Sequence, residues 1–235
     1  MAPNYLDPKF HDHAFAALRG RFPDRAAFDA WLAAIPSDAE RAIFLRVASF
    51  YRFLVLEGEY RFDVPEWNEG MDYVNHTYKA IAILALIEAS YTEDDFQDFY
   101  VWLRGQLKNA ATKITAANDL DKARDDYLRL HGSTWKVVRF FGALDARDQQ
   151  RLGSLLRVGS ASPGEPPTAV DRVAKMLFAI RSKFVHEAEF ILELGPVLHL
   201  SARDRKVVIS AMKLDDLQDF FERGLIARFS PARRS

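Results

Sequence analysis

The chain has 235 residues, of which 49% are apolar, 28% are charged and 13% are aromatic, a composition typical of a folded globular protein and not of a disordered chain. Its formal net charge of -1 excludes a global basic field for binding nucleic acid, so such binding would need a local patch. The chain contains no cysteine, which excludes disulfides, thiolate metal sites and thiol catalysis.

The sequence also predicts a soluble, cytoplasmic protein with no membrane partner. The N-terminal residues lack a basic region followed by an apolar run, so they do not resemble a signal peptide. The longest apolar run, residues 80–87, is far too short to span a bilayer.

Apolar periodicity predicts two short helices near the N-terminus, over residues 10–20 and 24–34. Ser37 has Glu40 three residues later, the spacing of a capping box, and it should open a helix that runs to about Glu57. The apolar stripe predicted for that helix is Ile43, Val47, Phe50 and Leu54. We assign residues 1–62 to an N-terminal helical extension.

The middle of the chain is predicted to contain only helices and connectors. Residues 59–70 form a connector, and a long helix follows from about Met71 to Ser90. Because this helix is apolar nearly all round, it should lie at the centre of the fold. Further helices are predicted after the candidate caps Thr92, Asp119 and Ser133, and over residues 147–157.

The last third of the chain opens with a loop, residues 160–167, which is rich in proline and serine. A helix from about Ala169 to Leu194 follows, and residues 201–212 and 214–228 are predicted to form a C-terminal helix pair. We find no segment whose apolar and polar residues alternate long enough to require a sheet. The predicted fold class is therefore all-α, with a helical bundle over residues 63–235.

The helix that begins near Ala169 carries an arginine and a histidine on opposite edges of one face. Successive residues advance by about 100°, so one stripe should pack into the core, and a second face is too apolar for ordinary exposure. Arg181 borders this second face on one side and His186 on the other, with Lys175 on the His186 side. The core stripe comprises Val173, Leu177, Ile180, Phe184 and Ala188, and the second face comprises Phe178, Ser182, Val185 and Glu189.

The placement of Arg181 and His186 predicts a composite site in a homodimer. The two residues lie roughly 140° apart around the helix and about 7.5 Å apart along its axis, so they do not easily contact each other. A two-fold interface through Phe178, Val185 and Glu189 would bring the arginine of one protomer close to the histidine of its partner. Arginine binds phosphate bidentately and histidine moves protons near neutral pH, so this arrangement predicts a phosphodiester site.

The segment MLFAIRSKFVHEAEF resembles the Arg-x4-6-His motif of HEPN domains (higher eukaryotes and prokaryotes nucleotide-binding). Arg181, four intervening residues and His186 match the motif, and the helix DYVNHTYKAIAILALIEAS is similar to the first long helix of the family. The resemblance covers about residues 67–200.

The resemblance implies a compact helical bundle that dimerises through the Arg/His helix and acts as a metal-independent endoribonuclease. Such proteins belong to toxin–antitoxin, phage-defence and RNA-processing systems. Arg181 would hold the scissile phosphate, and His186 would act as base or acid while the ribose 2′-hydroxyl attacks, giving a 2′,3′-cyclic phosphate. Ser182 and Lys175 would support the site or bind RNA. The implied partners are a second copy, RNA or a nucleotide, and a protein inhibitor or antitoxin, and no cofactor is needed.

An alternative stays open, namely a catalytically inactive HEPN-like module that binds RNA or a nucleotide, or that scaffolds a partner. Glu187 and Glu189 favour it, because they add negative charge close to the path of an RNA backbone. A metal site is not expected, since His11 and His13 have no third ligand nearby in the sequence.

Overall fold

The computed structural model describes residues 3–60, 71–91, 98–108, 114–115, 117–159, 167–187, 197–201 and 206–230. These residues are predominantly helical, as the sequence predicts. None of the helices they form is long and apolar enough to cross a membrane.

The three N-terminal helices are α1 (Pro8–Leu18), α2 (Arg25–Ala33) and α3 (Asp38–Tyr51), and one turn of π-helix, Arg52–Leu56, continues α3. Each helix begins at a polar cap, and the cap that the sequence predicts for α3 is confirmed. The side chains of Asp7, Asp24 and Ser37 accept hydrogen bonds from the first-turn backbone N–H groups of Lys9, Ala27 and Glu40.

The buried face of α3 differs from the predicted stripe in its second half. Val47 is buried as expected, but Phe50 and Leu54 are exposed. The other apolar residues that pack inward are Phe44, Leu45, Ala48, Tyr51 and Val55. The face is rotated because Tyr51 and Val55, and not Phe50 and Leu54, meet the helices that cover α3.

Seven further helices follow along the described chain. They are α4 (Met71–Ala89), α5 (Phe99–Lys108), α6 (Ala117–His131), α7 (Ser133–Gly142), α8 (Ala146–Leu155), α9 (Val170–Glu187) and α10 (Leu214–Phe229). The candidate cap Thr92, residues 160–166 of the predicted loop and the predicted end of the Arg/His helix, residues 188–194, lie outside the described residues.

A small antiparallel sheet replaces part of the predicted C-terminal helix pair. Its strands are β1 (Leu156–Gly159), β2 (Val197–Ser201) and β3 (Lys206–Ser210), in the order β1-β3-β2. The register places Leu156 of β1 and Val197 of β2 on either side of Ser210. The prediction of a helix over 201–212, and of no sheet, was therefore wrong. Three consecutive β-branched residues, 207–209, favour a strand over a helix.

The N-terminal helices share one hydrophobic core with α4 and with helices α7 to α10. Phe44 of α3 lies 5.6 Å from Phe229 of α10 between ring centroids, and Tyr51 lies 4.7 Å from Phe221. The same core takes in α4, whose side chains pack against α3, α7, α9 and α10. The predicted central, buried position of this helix is thus confirmed, and α9 is held against it.

Helices α5 and α6 form a second, smaller cluster. Trp102, Leu103 and Ala123 are its buried members, and Phe99 and Tyr127 pack against them. Several large apolar side chains of these two helices are exposed among their charged residues, and Tyr100 is 72% exposed.

Candidate functional site

Helix α9 is positioned by a broad buried face. Val173, Ala174 and Leu177 are fully buried against the common core. The predicted core stripe is thus confirmed for Val173 and Leu177, while Ile180 and Phe184 are half-buried. Ala174 widens the buried face beyond the predicted stripe, because α9 packs against α7, α8 and α4 together.

Arg181 forms an ion pair with Glu88 near the C-terminal end of α4. Arg181 Nε and Glu88 Oε1 are 3.3 Å apart, and the two side chains are only 22% and 18% exposed. Both atoms are buried and neither has a hydrogen bond of acceptable geometry. The guanidinium also lies 6.0 Å from the centroid of the Phe178 ring. The attraction is thus mainly between charges, and Arg181 lies close to the buried side of α9.

His186 occupies a different environment in the last turn of α9, where its side chain is exposed. Val185, directly before it, is 51% exposed although it is a large apolar residue. Within one chain, the described contacts do not bring Arg181 and His186 together. They stay separated by about five residues of helix, a rise of roughly 7.5 Å.

The structure describes only some of the remaining residues of the predicted second face. Ser182 is half-buried, and Phe178 is half-buried because it packs against the core of its own chain. Glu189 and the side chain of Glu187 lie outside the described residues. The predicted interface face is therefore covered near Phe178 and uncovered near Val185.

Lys175 is engaged on the exposed side of α9. Its ammonium lies 3.1 Å from Asp171, one turn earlier, and 4.8 Å from the centroid of the Trp135 ring on α7. Lys175 lies on the same side of the helix as His186 but about three turns away. A direct role beside His186 would therefore require an extended ligand.

Glu88 is a site residue that sequence reasoning missed. A signal for it existed, since an acidic residue in the last turn of an apolar helix faces an unfavourable helix dipole. A carboxylate is rarely buried at such a position unless a cation pairs with it. The sequence did not indicate which cation, because α4 and α9 are far apart along the chain.

A stronger ionic network lies on α10, away from α9. Asp219 accepts hydrogen bonds from Arg21 at 2.5 Å, Arg151 at 2.6 Å and Arg223 at 3.1 Å. Burial raises the pKa of Asp219, but its arginine partners outweigh that effect and lower the pKa to about 2. Burial, and then the neighbouring Glu222, raise the pKa of the Tyr51 hydroxyl, which donates to Glu222 at 2.8 Å. Every charged group of this network is matched, which is typical of a structural role.

The described part of the chain also contains a surface cleft of about 400 Å³ between the N-terminal helices. Its two arginines are already paired, Arg25 with Asp12 and Asp29, and Arg41 with Asp38. No group of three or more histidine or acidic side chains that could hold a metal ion occurs among the described residues.

Comparison of the chain with protein families, with characterised proteins and with solved structures finds no match. A function is therefore inferred from the residues of the chain itself.

Proposed function

We propose that this protein is a HEPN-type, metal-independent endoribonuclease that acts as a homodimer through α9. The observation that carries the proposal is the uncovered apolar side chain of Val185 between the two residues of the motif. Exposed His186 follows it directly, and Arg181 lies about one turn before it. A second α9 that covers Val185 would bring Arg181 of one protomer towards His186 of the partner subunit.

In the proposed reaction, Arg181 binds the non-bridging oxygens of the scissile phosphate. His186 removes the proton of the ribose 2′-hydroxyl, whose oxygen forms a bond to phosphorus while the bond to the 5′-oxygen breaks. His186 of the partner subunit, in its protonated form, donates a proton to that leaving oxygen. The products are a 2′,3′-cyclic phosphate and a 5′-hydroxyl, and no metal takes part.

Glu88 has a defined place in this scheme. It neutralises the half-buried guanidinium of Arg181 in the absence of RNA, at 3.3 Å and without an aligned hydrogen bond. A phosphate that approaches Arg181 supplies the aligned acceptors that Glu88 does not. RNA binding therefore exchanges one anionic partner of Arg181 for another.

The proposal is tested by incubating the protein with total RNA in EDTA, beside His186→Ala and the control Arg172→Ala. Arg172 is an exposed cation on the same helix, so its loss reproduces a surface change without touching the motif. Cleavage by the wild type and by Arg172→Ala, with 2′,3′-cyclic phosphate ends, and none by His186→Ala, is expected. No cleavage by the wild type, or equal cleavage by all three, would remove the nuclease proposal.

A second candidate is a catalytically inactive HEPN-like module that binds RNA or a nucleotide, or that scaffolds a partner. The ion pair between Arg181 and Glu88 favours it, because a half-buried arginine with a carboxylate partner is often purely structural. RNA binding by the wild type, without cleavage and unchanged in His186→Ala, would select this candidate.

In this proposal the protein acts in the cytoplasm, where it would encounter its RNA substrate. An unregulated ribonuclease is toxic to its own cell, so a protein inhibitor or antitoxin is the partner that a toxin or phage-defence role would require. Co-purification of the active dimer with a protein that suppresses its cleavage would identify such a partner.

A further inference from the structure

The C-terminal end of α4 is a point where arginines from several helices meet. One comes from each of α3, α7, α9 and α10, and each contacts a residue between Glu88 and Tyr91. These arginines are Arg46, Arg139, Arg181 and Arg228. Glu88 is the one carboxylate that the described residues place among them.

Two of these arginines have an ordinary explanation in the end of the helix. Arg46 Nη2 donates a hydrogen bond to the backbone carbonyl of Ala89 at 3.1 Å, where α4 leaves its last carbonyl groups without helical partners. Arg181 pairs with Glu88. Each of these two arginines therefore has a polar partner within its own chain.

The other two arginines lie against one aromatic ring beyond the end of α4. The guanidinium carbons of Arg139 and Arg228 are 5.3 Å and 4.7 Å from the centroid of Tyr91. The two carbons are therefore no more than about 10 Å apart, by addition of the two distances. Arg139 also donates to the backbone carbonyl of Leu130 at 2.8 Å. Within the described part of the chain, neither guanidinium forms an ion pair with a carboxylate.

Arg228 adds a second indication of a missing acceptor. Its Nε is buried and has no hydrogen-bond partner, and the side chain as a whole is half-buried. A buried donor of this kind is unfavourable unless something accepts its hydrogen bond. The contact with Tyr91 balances part of the charge but does not satisfy the N–H group. Two like charges close to one ring, one of them with an unsatisfied donor, would be stabilised by an anion that contacts both.

We propose that Arg139 and Arg228, beside Tyr91, form a binding site for a phosphate group. A phosphate offers several strong acceptor oxygens around one centre, so it can accept hydrogen bonds from two guanidinium groups at once. The exposed side chain of Arg139 is able to turn towards such a ligand, while Arg228 is held by its contacts with Tyr91 and Phe229. The ligand is either a free phosphate ion or a phosphodiester of a nucleic acid. This site is separate from His186 and does not depend on the proposed nuclease activity.

The test measures the melting temperature of the full-length protein in inorganic phosphate and in chloride at the same pH and ionic strength. Variants are Arg228→Gln and Arg139→Gln, and the control is Arg147→Gln, an exposed arginine on α8. Phosphate that binds the folded state raises its melting temperature. We expect this rise in the wild type and in Arg147→Gln, and its loss in both site variants. His186→Ala should retain the rise, so that the outcome is distinguishable from failure of the nuclease proposal.

The proposed phosphate site would be overturned if phosphate raised the melting temperature equally in all variants, or did not raise it in the wild type. If circular dichroism shows that Arg228→Gln does not fold, the test of the phosphate site uses Arg139→Gln alone. Arg139 is exposed, so its replacement leaves the core intact. The source of the phosphate is identified with a short oligodeoxynucleotide, which lacks the 2′-hydroxyl and cannot be cleaved by the proposed mechanism. Binding that weakens at least tenfold in Arg139→Gln and competes with phosphate supports a phosphodiester, whereas binding of phosphate alone supports a small anion.

Discussion

Arg181 on α9 and Glu88 on α4 face each other with Nε and Oε1 3.3 Å apart, in a setting that leaves less than a quarter of either side chain exposed. The pair joins the helix that carries the Arg-x4-His motif to the central helix of the fold. A structural and a catalytic role for Arg181 both include this contact. The two roles predict different effects on RNA cleavage when the charge of Glu88 is removed.

Glu88→Gln should therefore separate the two roles. The substitution keeps the shape of the side chain but leaves the half-buried guanidinium uncompensated, and we expect the free energy of unfolding to fall by about 1–3 kcal/mol. If Arg181 binds RNA phosphate, cleavage by Glu88→Gln should be retained or increased, because no carboxylate competes with the phosphate. Urea denaturation and initial cleavage rates measure the two effects.

Glu57→Gln is the matched control for that substitution. Glu57 forms an ion pair with Arg52 at 2.6 Å, but its side chain is 54% exposed. Exposed pairs contribute about 0–1 kcal/mol, so its loss should change stability little. If Glu88→Gln were as stable as Glu57→Gln and abolished cleavage, then Glu88 would belong to the chemistry and not to the support of Arg181.

The proposed dimer makes different predictions for the two apolar residues of the second face. Val185→Glu should give a folded monomer, because Val185 is largely exposed in the single chain and a charge there opposes only the contact with a partner. Phe178→Glu should also lower stability, by roughly 2–4 kcal/mol, because Phe178 packs against the core of its own chain.

Light scattering coupled to size exclusion measures the oligomeric state of both variants. Ala30→Glu is the control, since Ala30 is exposed on α2, outside the Arg/His helix, and a charge there should leave the dimer intact. A wild-type protein that is monomeric at micromolar concentration would contradict the composite site.

Local signals in the sequence predicted much of the fold. Asp24 and Ser37 mark their helices correctly because a cap depends only on residues within one turn. The strand β3 was missed because its pairing with β1, which lies far earlier in the chain, leaves no local pattern in the sequence. The contact between Arg181 and Glu88 was missed for the same reason, since a helical wheel shows a face but not its neighbour. Ala174 extended the buried face of α9 because three helices cover it.

A close contact between α10 and α7 gives a prediction about packing. A Cβ added to Gly224 would lie 2.4 Å from Cε1 of Phe140, a fully buried ring with no room to move away. Gly224→Ala should therefore lower the free energy of unfolding by about 1–3 kcal/mol, although alanine favours a helix. Gly105→Ala on α5 is the matched control, because nothing lies within 4 Å of its added Cβ. It should raise stability by up to about 1 kcal/mol, and equal effects in the two variants would exclude the proposed clash.

The arginines around Asp219 predict how stability depends on pH. They hold the pKa of this carboxyl at about 2 in the folded chain, against an ordinary value of 3.8. Because the pKa is lower in the folded state than in the unfolded state, the ionised carboxylate stabilises the folded protein at pH values above the unfolded pKa. This contribution is lost as the pH falls from about 4 to about 2. Because the side chain is 20% exposed, we expect the contribution to be about 1–2 kcal/mol after screening by solvent. Melting temperatures between pH 7 and pH 2 measure it.

Asp219→Asn should melt lower than the wild type at pH 7 and approach it at pH 2. The control Asp125→Asn, which removes one exposed charge on α6, should match the wild type at pH 7. A constant difference between Asp219→Asn and the wild type over the whole range would show that the ionised carboxylate is not what stabilises this end of α10.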